Sequence, residues 1–235
     1  MRKINFKQNK EKIFQMVEAV NYSSMSRDQI KENLLAVVMK HLEAADSYKE
    51  IDEDAKYKMK ITQGEEQGVA ITICRMEGAG LSVEEFKEWH KLDSMMDNMS
   101  KLDDIITGKR LDDHDGLPLI YQHVKTPMMV SNRVSLFSVY EWEEDGAYCQ
   151  LSTSRGNEKY AEEHPDLVGK NVLCDVLVTY VKFSPKADGS GVDCVAVICV
   201  DPAGSLPDFV KNQIAKSNGD NTVKLVKRLQ KEKGI

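Results

Sequence analysis

The chain has 235 residues, 41% apolar and 30% charged, a composition typical of soluble globular proteins and long enough to bury a substantial core. A formal charge of −6 excludes broad nucleic-acid binding, which needs surplus Lys and Arg to displace counterions from phosphates. The five cysteines (Cys74, Cys149, Cys174, Cys194 and Cys199) form no C-x-x-C pair, and their apolar surroundings suggest small buried hydrophobes in a reducing compartment.

In chain order, "MRKINFKQNKEKIFQM" lacks the continuous apolar run of a signal peptide. Ile13, Phe14, Met16, Val17 and Val20 give residues 8–20 helical spacing. We read residues 1–25 as a helical extension and residues 26–235 as one domain. Ser26 is placed to cap a second helix, with Ile30, Leu34, Leu35, Val38, Met39 and Leu42 along one stripe. Three strands follow in "YKEIDED", "AKYKMKITQ" and "VAITICRM". Ser82 and Glu85 then form a capping box for the helix in "GLSVEEFKEWHKL", and "DSMMDNMSKL" reads as a shorter helix.

Six more strands are predicted: 104–111, 117–125, 133–143, 147–154, 172–184 and 192–201. Turns marked "HDG", "EDG" and "DGSG" separate several of them, supplying Gly where φ must be positive. The last helix starts in "SLPDFVKNQIAKS", with Ser205 as cap and Pro207 in the first turn. A bend or break is expected at Ser217 to Asn221. The most apolar run, "VLCDVLVTYVKF", is too short to span a bilayer and contains Asp175, so the expected location is cytoplasmic, with peripheral contact at membranes. Antiparallel strands segregated from a few helices define an α+β fold.

The usual signatures of chemistry are missing. "LDDHDG" fails as a calcium loop, because Leu111 and Gln122 stand where carboxylates are required. The histidines have no metal-ligand spacing, and no phosphate loop or nucleophile elbow is present. We expect no metal, no cofactor and no catalytic residue. Methionine is plentiful, with Met95, Met96, Met99, Met128 and Met129 in mid-chain, and a flexible thioether suits either core filling or an adaptable lipid-facing surface. Met128 and Met129 lie in a Pro-marked connection between strands, an unusual place for large apolar residues.

Two stretches carry a resemblance. "TPMMVSNRVSLFSVYEW", in which Arg133 opens a long strand, is similar to a segment of the START domain, the lipid-transfer module related to steroidogenic acute regulatory protein. "VICVDPAGSLPDFVKNQI" resembles its C-terminal signature, with Asp201, Gly204, Pro207 and Asn212 in the matching places. Element order agrees over roughly residues 27–232. The chain departs from the family pattern at Met96, which replaces a Trp ahead of Asp97. It departs again at Val139 and Ile120, where sterol-binding members carry a buried Arg and an acid.

The resemblance implies a helix-grip fold, a curved antiparallel sheet of about nine strands around the C-terminal helix with an apolar tunnel for one lipid. The implied function is non-catalytic binding of that lipid, a phospholipid or sterol, and its transfer between membranes. The partners are then the lipid and a transient membrane surface. Candidate lining residues on strands are Ile120, Gln122, Arg133, Phe137, Val139, Val178, Tyr180, Val195 and Val197. Met128 and Met129 join them from the loop, and Phe209, Val210 and Ile214 from the last helix. Alternation alone does not say which sheet face is inward. Two alternatives stand beside transfer: a helix-grip enzyme using His123, Asp175 and Tyr180, and a lipid-sensing adaptor read through the acidic segment 81–120.

Overall fold

The computed structural model describes residues 22–126, 130–204, 206 and 208–235, without the side chains of residues 23, 208–216, 218 and 219. The expected helix over 8–20 lies outside this range, as do Met128 and Met129. Helix α1 (Arg27–Ala44) begins at the predicted cap. There the Ser26 hydroxyl accepts the Gln29 N–H, and the Gln29 side chain accepts the Ser26 N–H. Ile30, Leu34 and Val38 are buried along its stripe, whereas Met39 is 52% exposed.

Strands β1 (Lys49–Asp54), β2 (Met59–Glu66) and β3 (Val69–Ala79) precede α2 (Val83–Trp89) and α3 (Met95–Leu102). Then come β4 (Ile106–Arg110), β5 (Leu119–Val124), β6 (Arg133–Glu144) and β7 (Ala147–Thr153). Two short helices, α4 (Glu158–Glu163) and α5 (Pro165–Val168), fill a polar stretch that showed no helical periodicity in the sequence. The chain finishes with β8 (Val172–Leu173), β9 (Asp175–Pro185), β10 (Gly191–Asp201) and α6 (Asp208–Lys233).

One ten-stranded sheet results, in the order β1-β2-β3-β10-β9-β7-β6-β5-β4, with β8 beside β6. All of its pairs are antiparallel except the short parallel contact of β6 with β8. The tenth strand exists because the expected strand at 172–184 divides: its first two residues pair with β6, and the rest bridges β7 and β10. "LDDHDG" forms a turn with φ of 50° at Asp115 and 77° at Gly116, and Asp145 and Gly146 repeat this geometry at 50° and 76°.

Helix α6 runs unbroken through Ser217 to Asn221, against expectation. A single helical Gly costs about 1 kcal/mol, which packing of Val223, Leu225, Val226 and Leu229 outweighs. The sheet has two differently covered faces. Under α1 lie Ile71, Ile73, Tyr140, Leu151, Tyr180 and Val197. On the inner face, Met59, Ile61, Cys74, Met76, Phe183 and Ala196 pack with the second half of α6 and with α2. A third cluster continues that inner face, where Met95 and Met96 of α3 meet Ile106, Ile120, Phe137, Val139 and Val176.

Candidate functional site

Strand register lays the inner face out in rows. Nearest the β6–β7 turn, Tyr148, Phe183, Cys194 and Met76 stand side by side. The Phe183 ring stacks on Phe86 of α2 at 4.3 Å between centroids. The next row holds Glu141, Gln150, Val181, Ala196 and Cys74. Tyr148 Oη donates to Glu141 Oε1 at 2.5 Å, and Gln150 Nε2 donates to the same oxygen at 3.2 Å. Burial, with this neighbouring carboxylate, pushes the Tyr148 hydroxyl far up, so it stays protonated as the donor. His90 is held below its ordinary value by burial, and its Nδ1 lies 2.8 Å from the Phe86 carbonyl.

The third row sets hydroxyl side chains among branched apolar ones: Val139, Ser152, Thr179, Ile198 and Thr72. Beyond it the face becomes apolar again at Ile120 and Phe137, and then reaches Gln122 and Ser135. Gly108 of β4 faces the same way, and a Cβ there would sit 2.8 Å from Met96 Cε. A Cβ would come closer still to the Tyr121 backbone carbonyl, so the missing side chain is what lets β4 pair closely with β5 beneath α3.

Ile120, Gln122, Phe137 and Val139 therefore share the inner face. Val178, Tyr180, Val195 and Val197 belong to the opposite face, packed in the cluster beneath α1. They do not share a face with Ile120, Gln122, Phe137 and Val139, and their assignment as lining residues is corrected accordingly. For Val195 and Val197 alternation alone left the face open, and for Val178 and Tyr180 the cause is local. Cys199 pairs with Val178 but Val200 pairs with Val176, so a bulge at Leu177 breaks the period of two. Val176 turns inward to Phe137 and Val139, while Val178 and Tyr180 turn toward α1. Sequence reasoning passed over Ser152, Thr179 and Val176, because nothing local marks an unpaired extra residue. Met95 and Met96 carried a signal, the mid-chain methionine cluster. The side chains of Phe209, Val210 and Ile214 lie outside the described residues.

Arg133 holds the corner between β10 and α6. It is 6% exposed, and its guanidinium donates to the carbonyls of Pro202 and Ala203, each at 3.3 Å, and to that of Ser131. Asp201 Oδ1 accepts the Ala203 N–H at 2.9 Å. Ala203 and Gly204 follow with φ of 54° and 68°. The two stretches singled out in the sequence are thus joined by one side chain. Cys174 Sγ also donates to the Pro202 carbonyl at 3.4 Å, and burial pushes that thiol up to about 12.

Of the enzyme candidates, Tyr180 lies under α1 with its hydroxyl 3.7 Å from Cys149 Sγ. Asp175 is paired with Arg155 at 2.8 Å, and burial still raises its carboxyl. His123 pairs with Thr107 and Val134, out of register with the inner-facing Ile120 and Gln122. The three do not converge. In the acidic segment 81–120, Arg110 binds Asp93 at 2.7 Å and Asp113 at 2.9 Å. An open cleft of about 640 Å³ beside α2 includes Lys87, Arg110 and Glu143, a mixed-charge lining that meets the inner face at Glu141 and Tyr148. No group of metal-ligating side chains occurs among the described residues.

No family model matches the sequence, and no curated protein matches it. Solved structures do. Human StAR-related lipid transfer protein 5 superposes with a TM-score of 0.66 at 15% identity, covering 89% of this chain and 100% of its own. The chain has the START helix-grip fold. Human STARD10 gives a TM-score of 0.65 at 16% identity over 83% of this chain and 78% of its own. The lipid transfer and protein localization domain of human StarD13 gives 0.57 at 11% identity over 84% and 96%. In this START-like fold the sheet's inner face, gripped by α6, is the candidate site. Among the described residues no helix is long and apolar enough to cross a membrane.

Proposed function

We propose that this START-like domain binds one lipid between the inner face of the sheet and α6, and carries it between membranes without catalysis. The observation that supports this most directly is the division of the inner-face core. One apolar cluster, reaching Ile198, is packed with the second half of α6, and a separate one, reaching Val139, lies under α3, with Ser152 and Thr179 between those two residues in register. Apolar residues on both sides of two small hydroxyl side chains suit an acyl chain or ring system. Burial of such a group supplies about 25 cal/mol per Å² before the costs of binding. The two human lipid transfer proteins with this fold, StAR-related lipid transfer protein 5 and the StarD13 domain, favour the same reading.

The lining residues would be Ile120, Gln122, Phe137, Val139 and Val176, with Met128, Met129, Phe209, Val210 and Ile214 closing the mouth. Arg133 would position the corner from which α6 departs. The test is native mass spectrometry of the purified full chain, followed by organic extraction and vesicle-to-vesicle transfer. Copurified lipid and transfer above the spontaneous rate are expected. Apo protein that takes up nothing from vesicles refutes the proposal.

A further inference from the structure

The polar groups of the inner face bear on what kind of lipid it takes, an inference that rests on the carrier function above. Across β3, β10, β9, β7, β6, β5 and β4, the cations in register with this face among the described residues are Arg110, which is paired with Asp93 and Asp113, and Arg133. The Arg133 guanidinium is already engaged by the carbonyls of Ser131, Pro202 and Ala203. Positions 120 and 139, both buried on this face, are Ile and Val. The acids are placed against an anion. Glu141 stands at the exposed end of its row, bonded to Tyr148 and Gln150. Asp220 of α6 lies near enough to Cys74 to oppose its ionisation.

The neutral groups are arranged differently. Ser152 and Thr179 are paired across adjacent strands in the middle of the sheet. Ser152 is 6% exposed, and neither hydroxyl has a hydrogen-bond partner among the described residues. The one fully enclosed side-chain nitrogen or oxygen without a partner among the described residues is Trp89 Nε1. The Ser152 and Thr179 hydroxyls are therefore not fully enclosed. Each can donate one hydrogen bond and accept others. A buried phosphate or carboxylate with no counter-charge loses far more on leaving water than two hydroxyls return. A hydroxyl, ester or amide carbonyl meets no such penalty.

We propose that the ligand is a lipid with an uncharged polar group, a hydroxyl or carbonyl seated on Ser152 and Thr179, and that lipids bearing an anionic phosphate are rejected. Diacylglycerols, ceramides and sterols all present this chemistry. The experiment offers delipidated full-length protein phosphatidylcholine vesicles doped in turn with labelled diacylglycerol, ceramide, cholesterol or phosphatidic acid. In one further arm the phosphatidylcholine itself carries the label. The diacylglycerol and phosphatidic acid share acyl chains, so they differ only in the phosphate.

At least one neutral probe should be recovered with the protein tenfold or more above phosphatidic acid and phosphatidylcholine. Uptake of either phospholipid equal to the best neutral probe overturns this inference and leaves the carrier function standing. Uptake of no probe overturns both. Ser152→Ala with Thr179→Val, which removes the hydroxyls at nearly constant volume, should weaken neutral-lipid uptake roughly tenfold. Unchanged uptake by a folded double variant overturns the seat on these two residues.

Discussion

Replacing Arg133 with Met tests whether one side chain holds the corner between β10 and α6. Methionine keeps most of the length and apolar stem of Arg133 but removes the donors to Ser131, Pro202 and Ala203. A hydrogen bond from a charged donor contributes about 1.5–3 kcal/mol, and a buried carbonyl left without a donor costs about 1–3 kcal/mol. Three full losses do not follow, because Gly204 is exposed and Pro202 and Ala203 are half-buried, so water can reach part of the corner. Desolvation of the guanidinium is also recovered. The net loss is about 2–4 kcal/mol, a fall in Tm of roughly 5–12 °C for a chain of this size. Thermal unfolding followed by circular dichroism reads it, and vesicle transfer by the same variant at 20 °C reports on the mouth. Arg133→Lys, which offers only a point donor, should fall between the two proteins. A melting temperature within a degree of wild type for Arg133→Met refutes the corner as a structure held by this residue.

Three further predictions concern the same framework. Ala203→Gly relieves a side chain at φ 54° and should stabilise by about 0.5–1 kcal/mol in urea unfolding, whereas a loss there would mean Ala203 is unstrained. Glu66 accepts from Lys40 at 2.7 Å and lies 2.6 Å from His41 Nε2. Burial raises the Glu66 carboxyl, but these partners win and its net value is lowered. A lowered carboxyl gives stability that is present above the unfolded value near 4.3 and lost as pH falls through the folded one. Wild type should therefore exceed Glu66→Gln at pH 7 and converge on it toward pH 3, and a constant gap across that range refutes the linkage. Val139→Arg places an unpaired cation in the cluster with Ile120 and should cost about 3–5 kcal/mol. Adding Ile120→Glu should restore at least about 1 kcal/mol in a double-mutant cycle, and strict additivity would show that the two positions do not meet.

Much of this fold was legible along the chain. The Ser26 and Ser82 capping boxes, the Asp-Gly turns and the alternation of β6 are local, and each involves residues within a few positions of one another. The expected strand at 172–184 was legible as apolar but not as two strands, since the division depends on β6 offering a parallel partner to Val172 and Leu173. The break expected in α6 failed for the same kind of reason. Its sequence around Gly219 is a poor helix, and only packing of the following turn against the sheet holds it.

The candidate site shows the boundary most clearly. Sequence by itself determined that strands alternate, that the cores are apolar, and that a corner falls at Asp201–Gly204, because period, burial tendency and turn chemistry are properties of neighbours in the chain; Arg133 was picked out by the START resemblance. Sequence did not determine which side of the sheet α6 would grip. A period of two names partners on a face but is symmetric between faces, and one bulge at Leu177 exchanges them near the start of β9. Tertiary structure decided that Val176 and Thr179 lie on the inner face while Val178 and Tyr180 face α1, because only the pairing of β9 with both its neighbours fixes where the extra residue goes.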